Sequence, residues 1–124
     1  MLHALHHTGN AQLYLLSRFT AQPFDRSKFQ EQPPFEILLD NFREARAAEG
    51  AFLPSLPEAD LARPVEMPYF KTNFTLLEGM THCVLHRQNH RGQCLTRLRE
   101  LGAKPPTLDY ILWVRDAAQR PASN

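Results

Sequence analysis

The stretch from Thr75 to Gly102 constrains the fold more than any other part of the chain. It contains no proline, opens on Thr75 with Glu78 three residues later as in a capping box, and closes on glycine with Pro105 and Pro106 just beyond. This punctuation predicts one long helix. Leu76, Leu77, Met80, Val84, Cys94, Leu95, Leu98 and Leu101 supply its apolar face. Gly92, in mid-helix, costs about 1 kcal/mol relative to alanine, so a close approach of another helix is expected there. Arg87 and Arg91 fall within the apolar arc, either as structural ion pairs with buried carboxylates or as charge offered to an anionic ligand.

Two more long helices are predicted upstream. From residue 2 to about 20, Leu2, Leu5, Ala11, Leu15, Leu16 and Phe19 recur at three- and four-residue intervals without proline. After a proline-bearing loop from Thr20 to Pro34, with at most one helical turn near Arg26 to Phe29, a second stripe begins. It comprises Phe35, Leu38, Leu39, Phe42, Ala45, Phe52 and Leu53, with Glu36, Asp40, Arg43, Glu44 and Arg46 as a solvated face. Pro54 and Pro57 end it, and Ser55 with Glu58 suggests a second capping box for a short helix over Pro57 to Ala62. Arg63 to Thr72, with Pro64 and Pro68, is expected to be extended or looped, its Tyr69 and Phe70 acting as anchors or as a pocket wall. Thr107 to Arg115 reads as a short C-terminal helix closing one end of a bundle, and residues 117–124 as a frayed tail after a single domain over 1–116.

A length of 124 residues suffices for one core without staples, and a net charge of +1 leaves too little positive excess for a dedicated nucleic-acid binder. The two cysteines, Cys83 and Cys94, sit about 16 Å apart along one helix axis, beyond disulfide reach, and read as reduced, buried or half-buried thiols of a cytoplasmic protein. The N-terminal residues lack the basic start and apolar core of a signal peptide, and no run approaches 18 apolar residues. Neither secretion nor a membrane span is expected.

Histidine placement carries the chemistry. His86 and His90, four apart on the long helix, stand one turn above each other on a flank of its apolar face, where two imidazoles can converge on one ion. On the first helix His7 shares a side with Ala11 and Tyr14, whereas His6 points elsewhere; His3 and His6 read as polar surface. Three neutral imidazoles would hold a divalent ion such as zinc or nickel and leave positions for water or substrate. Asn10, Tyr14 and Gln93 are candidates to orient the ligands or a bound water. No Ser-His-Asp order, glycine-rich phosphate loop or suitable pair of carboxylates is present.

The run His86, His90, Arg91, Gly92, Gln93 resembles the DinB family, proteins described as damage-inducible and predicted to depend on metal, whose last long helix carries His-x-x-x-His followed by Arg-Gly-Gln. The resemblance extends through Leu98-Arg99-Glu100-Leu101-Gly102 and Pro105-Pro106 to Leu108-Asp109-Tyr110-Ile111-Leu112, and back to His7, Ala11 and Leu16-Ser17-Arg18. It implies an all-α, DinB-like four-helix-bundle fold, here with three long helices, a short connecting helix and a short C-terminal helix. A further long helix usually precedes the one that carries the first histidine. The resemblance also supports His7, His86 and His90 as metal ligands. It favours a metal-dependent enzyme, a thiol-dependent S-transferase or a hydrolase, because relatives in the wider superfamily use low-molecular-weight thiols such as mycothiol or bacillithiol. The alternative is a non-catalytic bundle that binds a metal or small ligand or serves as an interaction subunit. Without the preceding helix, Leu2, Leu5, Leu13 and Leu16, on the side of the first helix away from His7, are expected to lack cover. A homodimer burying about 2,000 Å² or more would supply it.

Overall fold

The computed structural model describes residues 2–28 and 34–119. Its architecture is all-α: α1 (Leu2–Phe19), α2 (Phe35–Phe52), α3 (Leu76–Glu100) and α4 (Tyr110–Ala118), with single 3-10 turns at Arg26–Lys28, Leu53–Ser55 and Pro68–Phe70 and a longer 3-10 stretch over Glu58–Ala62. The three long helices stand where the sequence places them, and the short C-terminal one, expected over Thr107 to Arg115, runs from Tyr110 to Ala118 instead. The short connecting helix is that 3-10 stretch, and Ser55 does not cap it: its hydroxyl donates back to the Phe52 carbonyl (2.8 Å), while Pro57, the residue before the turn, has no capping side chain. The prolines leave Ser55 at the end of α2, where it satisfies an orphan carbonyl.

Two compact units follow each other along the chain, Met1–Cys94 and Leu95–Asn124. In the first, α1 is the central element. Leu13, Leu15, Leu16 and Phe19 are buried with Ala45 of α2 and with Leu76 and Cys83 of α3, and the core is completed by Val65 and Met67. The apolar positions of α1 therefore face more than one way because the helix has neighbours on more than one side. Leu13 and Leu16 are thus covered, contrary to the expectation of an open strip; of that set Leu5 is half-buried and only Leu2 stands exposed.

The segment expected to be extended or looped contains paired strands, β1 (Pro64–Met67) and β2 (Thr72–Thr75), antiparallel in the register Pro64↔Thr75 to Met67↔Thr72. Val65 and Met67 point inward and Pro64 and Glu66 outward, the alternation of a half-buried strand. Pro64 is tolerated as a first strand residue. The hairpin is tied to the end of α1: Arg63 Nη2 donates to the Phe19 carbonyl (2.9 Å) and Arg18 Nε to the Glu66 carbonyl (2.9 Å). A cation on the last carbonyls of a helix also opposes its dipole.

From β2 the chain passes directly into α3, and the Thr75–Glu78 capping box forms. The Thr75 amide and hydroxyl both donate to Glu78 Oε2 (2.8 Å each), and the Glu78 amide donates to Thr75 Oγ1 (3.2 Å). These donors hold the Glu78 carboxyl below its ordinary range, the backbone amide contributing most.

One turn on, Gly79 meets Phe19: a Cβ there would lie 2.8 Å from the Phe19 ring, which is buried and stacked against Phe52. A Gly79→Ala change is expected to destabilise the fold by about 1–3 kcal/mol despite alanine's better helix propensity, because the ring has no free space to move into. Urea denaturation of the variant measures this directly. Gly92, by contrast, has nothing within 4 Å of its Cβ position, so the expected close approach of another helix does not occur among the described residues.

Of the two arginines placed in the apolar arc, Arg87 reaches Glu49 of α2 (2.8 Å), the structural ion pair foreseen, whereas Arg91 is exposed. Leu77, Val84 and Leu101, assigned to the apolar face, are also exposed; the buried face of α3 runs through Leu76, Gly79, Cys83 and Cys94. Both cysteines are free and buried.

In the second unit, α3 ends in a Schellman closure. Gly102 adopts φ 81°, its amide donates to the Arg99 carbonyl (2.9 Å), and the Ala103 amide donates to Leu98 (3.0 Å). The positive φ is the reason for a glycine at this position. Helix α4 exposes Tyr110, Ile111 and Trp113, with the Tyr110 and Trp113 rings stacked at 5.9 Å. It continues through Ala118, past residue 117 where the tail was expected to start; residues 120–124 lie outside the described residues.

Candidate metal centre

His7 lies in the second turn of α1, and His86 and His90 lie in adjacent turns of α3. Their helices bring the three rings together: His7 Nε2 and His86 Nε2 are 3.1 Å apart, and one nitrogen from each of the three lies within 4.8 Å of the others. The ring centroids are 5.0 Å apart for His7 and His86, 5.0 Å for His7 and His90, and 4.6 Å for His86 and His90. Each pair meets edge to face. Nitrogens about 2.0–2.1 Å from a tetrahedral zinc stand roughly 3.3 Å from one another, so the His7–His86 spacing is that of two ligands of one ion.

Electrostatics keep the ligands in the form a metal requires. The His86 pKa is lowered to about 4, first by burial and then by the neighbouring His90, His7 and His82. That of His7 is lowered by burial, with His90, His3 and His6 adding to the effect. Both imidazoles are therefore neutral at pH 7, with lone pairs available. The same shifts predict acid lability. Between about 6.5 and about 4 the unfolded chain holds a proton on residue 86 that the fold does not. Stability is therefore complete above that window and declines as pH falls through it. Thermal melts of metal-free protein from pH 7 to pH 4 should show this decline, and His86→Gln should flatten it.

Gln93 Oε1 accepts from His90 Nδ1 (2.8 Å), which fixes the tautomer and leaves His90 Nε2 as the lone-pair atom. Of the residues singled out beside the ligands, Gln93 is thus in place. The other two point into the protein. Asn10 is fully buried, its amide set against His6 Nε2 (2.8 Å) and its carbonyl accepting from Asn41 (3.2 Å). Tyr14 packs on the core, edge-on to Phe24. His6 is buried in that polar network, a correction to its assignment as surface. The spacing of His6, Asn10, Leu13 and Ser17, all buried, was a signal in the sequence that it faces inward.

A further imidazole, His82, lies one turn below His86 with ring centroids 5.5 Å apart, and Phe70 stands edge-on to it at 6.1 Å. Phe70 also stands edge-on to Phe74 and to Tyr69, which is 81% exposed. The four-residue step from His82 to His86 is visible in the sequence; the neighbouring hairpin that supplies Phe70 is not.

A helical fold with three converging imidazoles, two from one helix and one from another, defines a class of proteins suited to bind a divalent ion. The sequence model of the DinB superfamily matches residues 2–94, and the chain belongs to that superfamily. The match contains all three histidines and Gln93 and stops short of the residues from Leu98 to Leu112 that the resemblance also drew on. No curated protein and no solved structure shows significant similarity to the chain.

Proposed function

We propose that this protein binds a divalent metal ion, zinc or nickel, through His7, His86 and His90, and that it is a metal-dependent enzyme of thiol transfer or hydrolysis. The observation that carries the reading is the convergence of three imidazoles, two of them held neutral by burial and by one another. Three histidines alone leave coordination positions open, unlike the four protein ligands of structural zinc sites. Bound there, the ion would supply a Lewis acid for a water or a thiol of low molecular weight. The chain's own residues do the positioning. His7 joins α1 to α3, Gln93 orients His90, and His82 with Phe70 forms a polar and aromatic margin beside His86. Two buried, free thiols fit a reducing, cytoplasmic setting. Among the described residues no helix is long and apolar enough to cross a membrane.

The test is metal content. Protein purified without a histidine tag, then titrated with zinc and nickel by calorimetry, should take up about one ion per chain. Failure to bind either metal would remove the basis of the enzymatic reading and leave a non-catalytic helical bundle.

A further inference from the structure

We infer that His82 is a transfer ligand: with His86 it takes up an incoming divalent ion and then yields it to His7, His86 and His90, an assignment that rests on the metal site proposed for those three. His82, His86 and His90 repeat at four-residue steps along α3, so the helix carries two adjacent imidazole pairs with His86 common to both. The ring centroids are 5.5 Å apart in the outer pair, at 32° between planes, and 4.6 Å apart in the inner pair. His82 and His90 cannot hold one ion together. Two turns and more of helix separate them by about 12 Å along the axis, and each nitrogen must come within about 2 Å of the metal. His82 accordingly lies outside the group whose nitrogens are within 4.8 Å of one another.

What assigns His82 to uptake rather than to the finished site is its freedom. The three ligands are already engaged: His7 Nε2 and His86 Nε2 share a hydrogen bond (3.1 Å), and Gln93 holds His90. His82 is exposed, and among the described residues neither of its ring nitrogens is hydrogen-bonded; the Phe70 ring, edge-on at 6.1 Å, backs it on one side. An ion therefore meets in His82 a lone pair that is ready, whereas entry at His7 or His86 requires their mutual hydrogen bond to open first. Once His82 and His86 hold the ion, His7 and His90 replace His82 while the bond to His86 persists. Each ring stays neutral throughout, its N–H on the nitrogen turned from the ion, and no proton is lost.

Such a ligand lowers the barrier to entry and exit alike and leaves the end states untouched. His82→Gln should therefore slow uptake and release of cobalt(II), a spectroscopic stand-in for zinc, by the same factor of about 10, with an unchanged dissociation constant. Visible absorption in stopped flow follows uptake, and transfer into excess EDTA follows release. His3→Gln is the control: His3 is exposed and one turn from His7 but makes no ring contact with it among the described residues, so its loss should change neither rate. Three outcomes would overturn the inference and leave the metal site standing: equal rates in wild type and His82→Gln, an equal slowing by His3→Gln, or faster release with weaker binding in His82→Gln, the behaviour of a lasting fourth ligand. If the wild type takes up neither cobalt(II) nor zinc in equilibrium titrations, the metal site and the transfer ligand fall together.

Discussion

Replacing His86 with alanine is expected to weaken zinc or nickel binding by more than about 100-fold, because loss of a residue that merely orients a ligand already costs about 10- to 100-fold. His86 is the ring common to the closest contacts of the cluster, 3.1 Å from His7 by nitrogen and 4.6 Å from His90 by centroid. Without it, two histidines from different helices remain, 5.0 Å apart by ring centroid, and they offer an ion only two ligands. Gln93→Ala supplies the graded comparison. It leaves all three ligands but frees the His90 ring to rotate, so its loss should fall within the smaller range. Competition with a chromophoric chelator measures both variants, with helicity checked in parallel. Equal affinity in wild type and His86→Ala would place any bound metal elsewhere on the chain.

Leu76→Ala is expected to be the most damaging of the simple truncations, costing about 2–5 kcal/mol. The side chain is fully buried, at the point where the hairpin turns into α3 and meets the core. Its backbone amide also donates to the Arg63 carbonyl (2.8 Å), so the neighbouring chain is held and cannot easily collapse into the space. Such a site leaves most of the cavity in place, and the cost rises with residual cavity volume. In urea the midpoint should fall with an unchanged slope. A loss below about 1 kcal/mol would mean that the core is not organised around this joint.

Punctuation and periodicity made much of this fold legible. Thr75 and Glu78 announce α3 and form the cap; Gly102 ends it with the positive φ that only glycine adopts cheaply. The four-residue step between His86 and His90 places both rings on one side because a helix permits nothing else. Arg87 was recognisable as an ion-pair residue from its place in an apolar arc, although Glu49 as its partner is a fact of tertiary structure. What was hidden follows from the same physics. Four-residue strands are too short to show a period of two, so the segment over β1 reads only as extended or looped and its pairing with β2 stays hidden. Leu77 and Val84 are apolar and helical, but periodicity cannot say whether a stripe is covered by the same chain. His6 is polar and near the start of the chain, and its burial depends on Asn10, which meets it on α1 and itself accepts from Asn41 of α2.

The contact between His7 and His86 joins residues 79 positions apart in the chain. Two of the three imidazoles are local partners that α3 alone can assemble, whereas the third arrives only after a long loop has closed. The ring cluster is therefore a checkpoint on chain topology. An early, partly ordered species can present at most a bidentate helix, and the full triad exists only in molecules that have docked their first helix. An ion that prefers the complete set would bind the finished fold selectively and draw the folding equilibrium toward it, so metal supply and protein abundance become linked quantities.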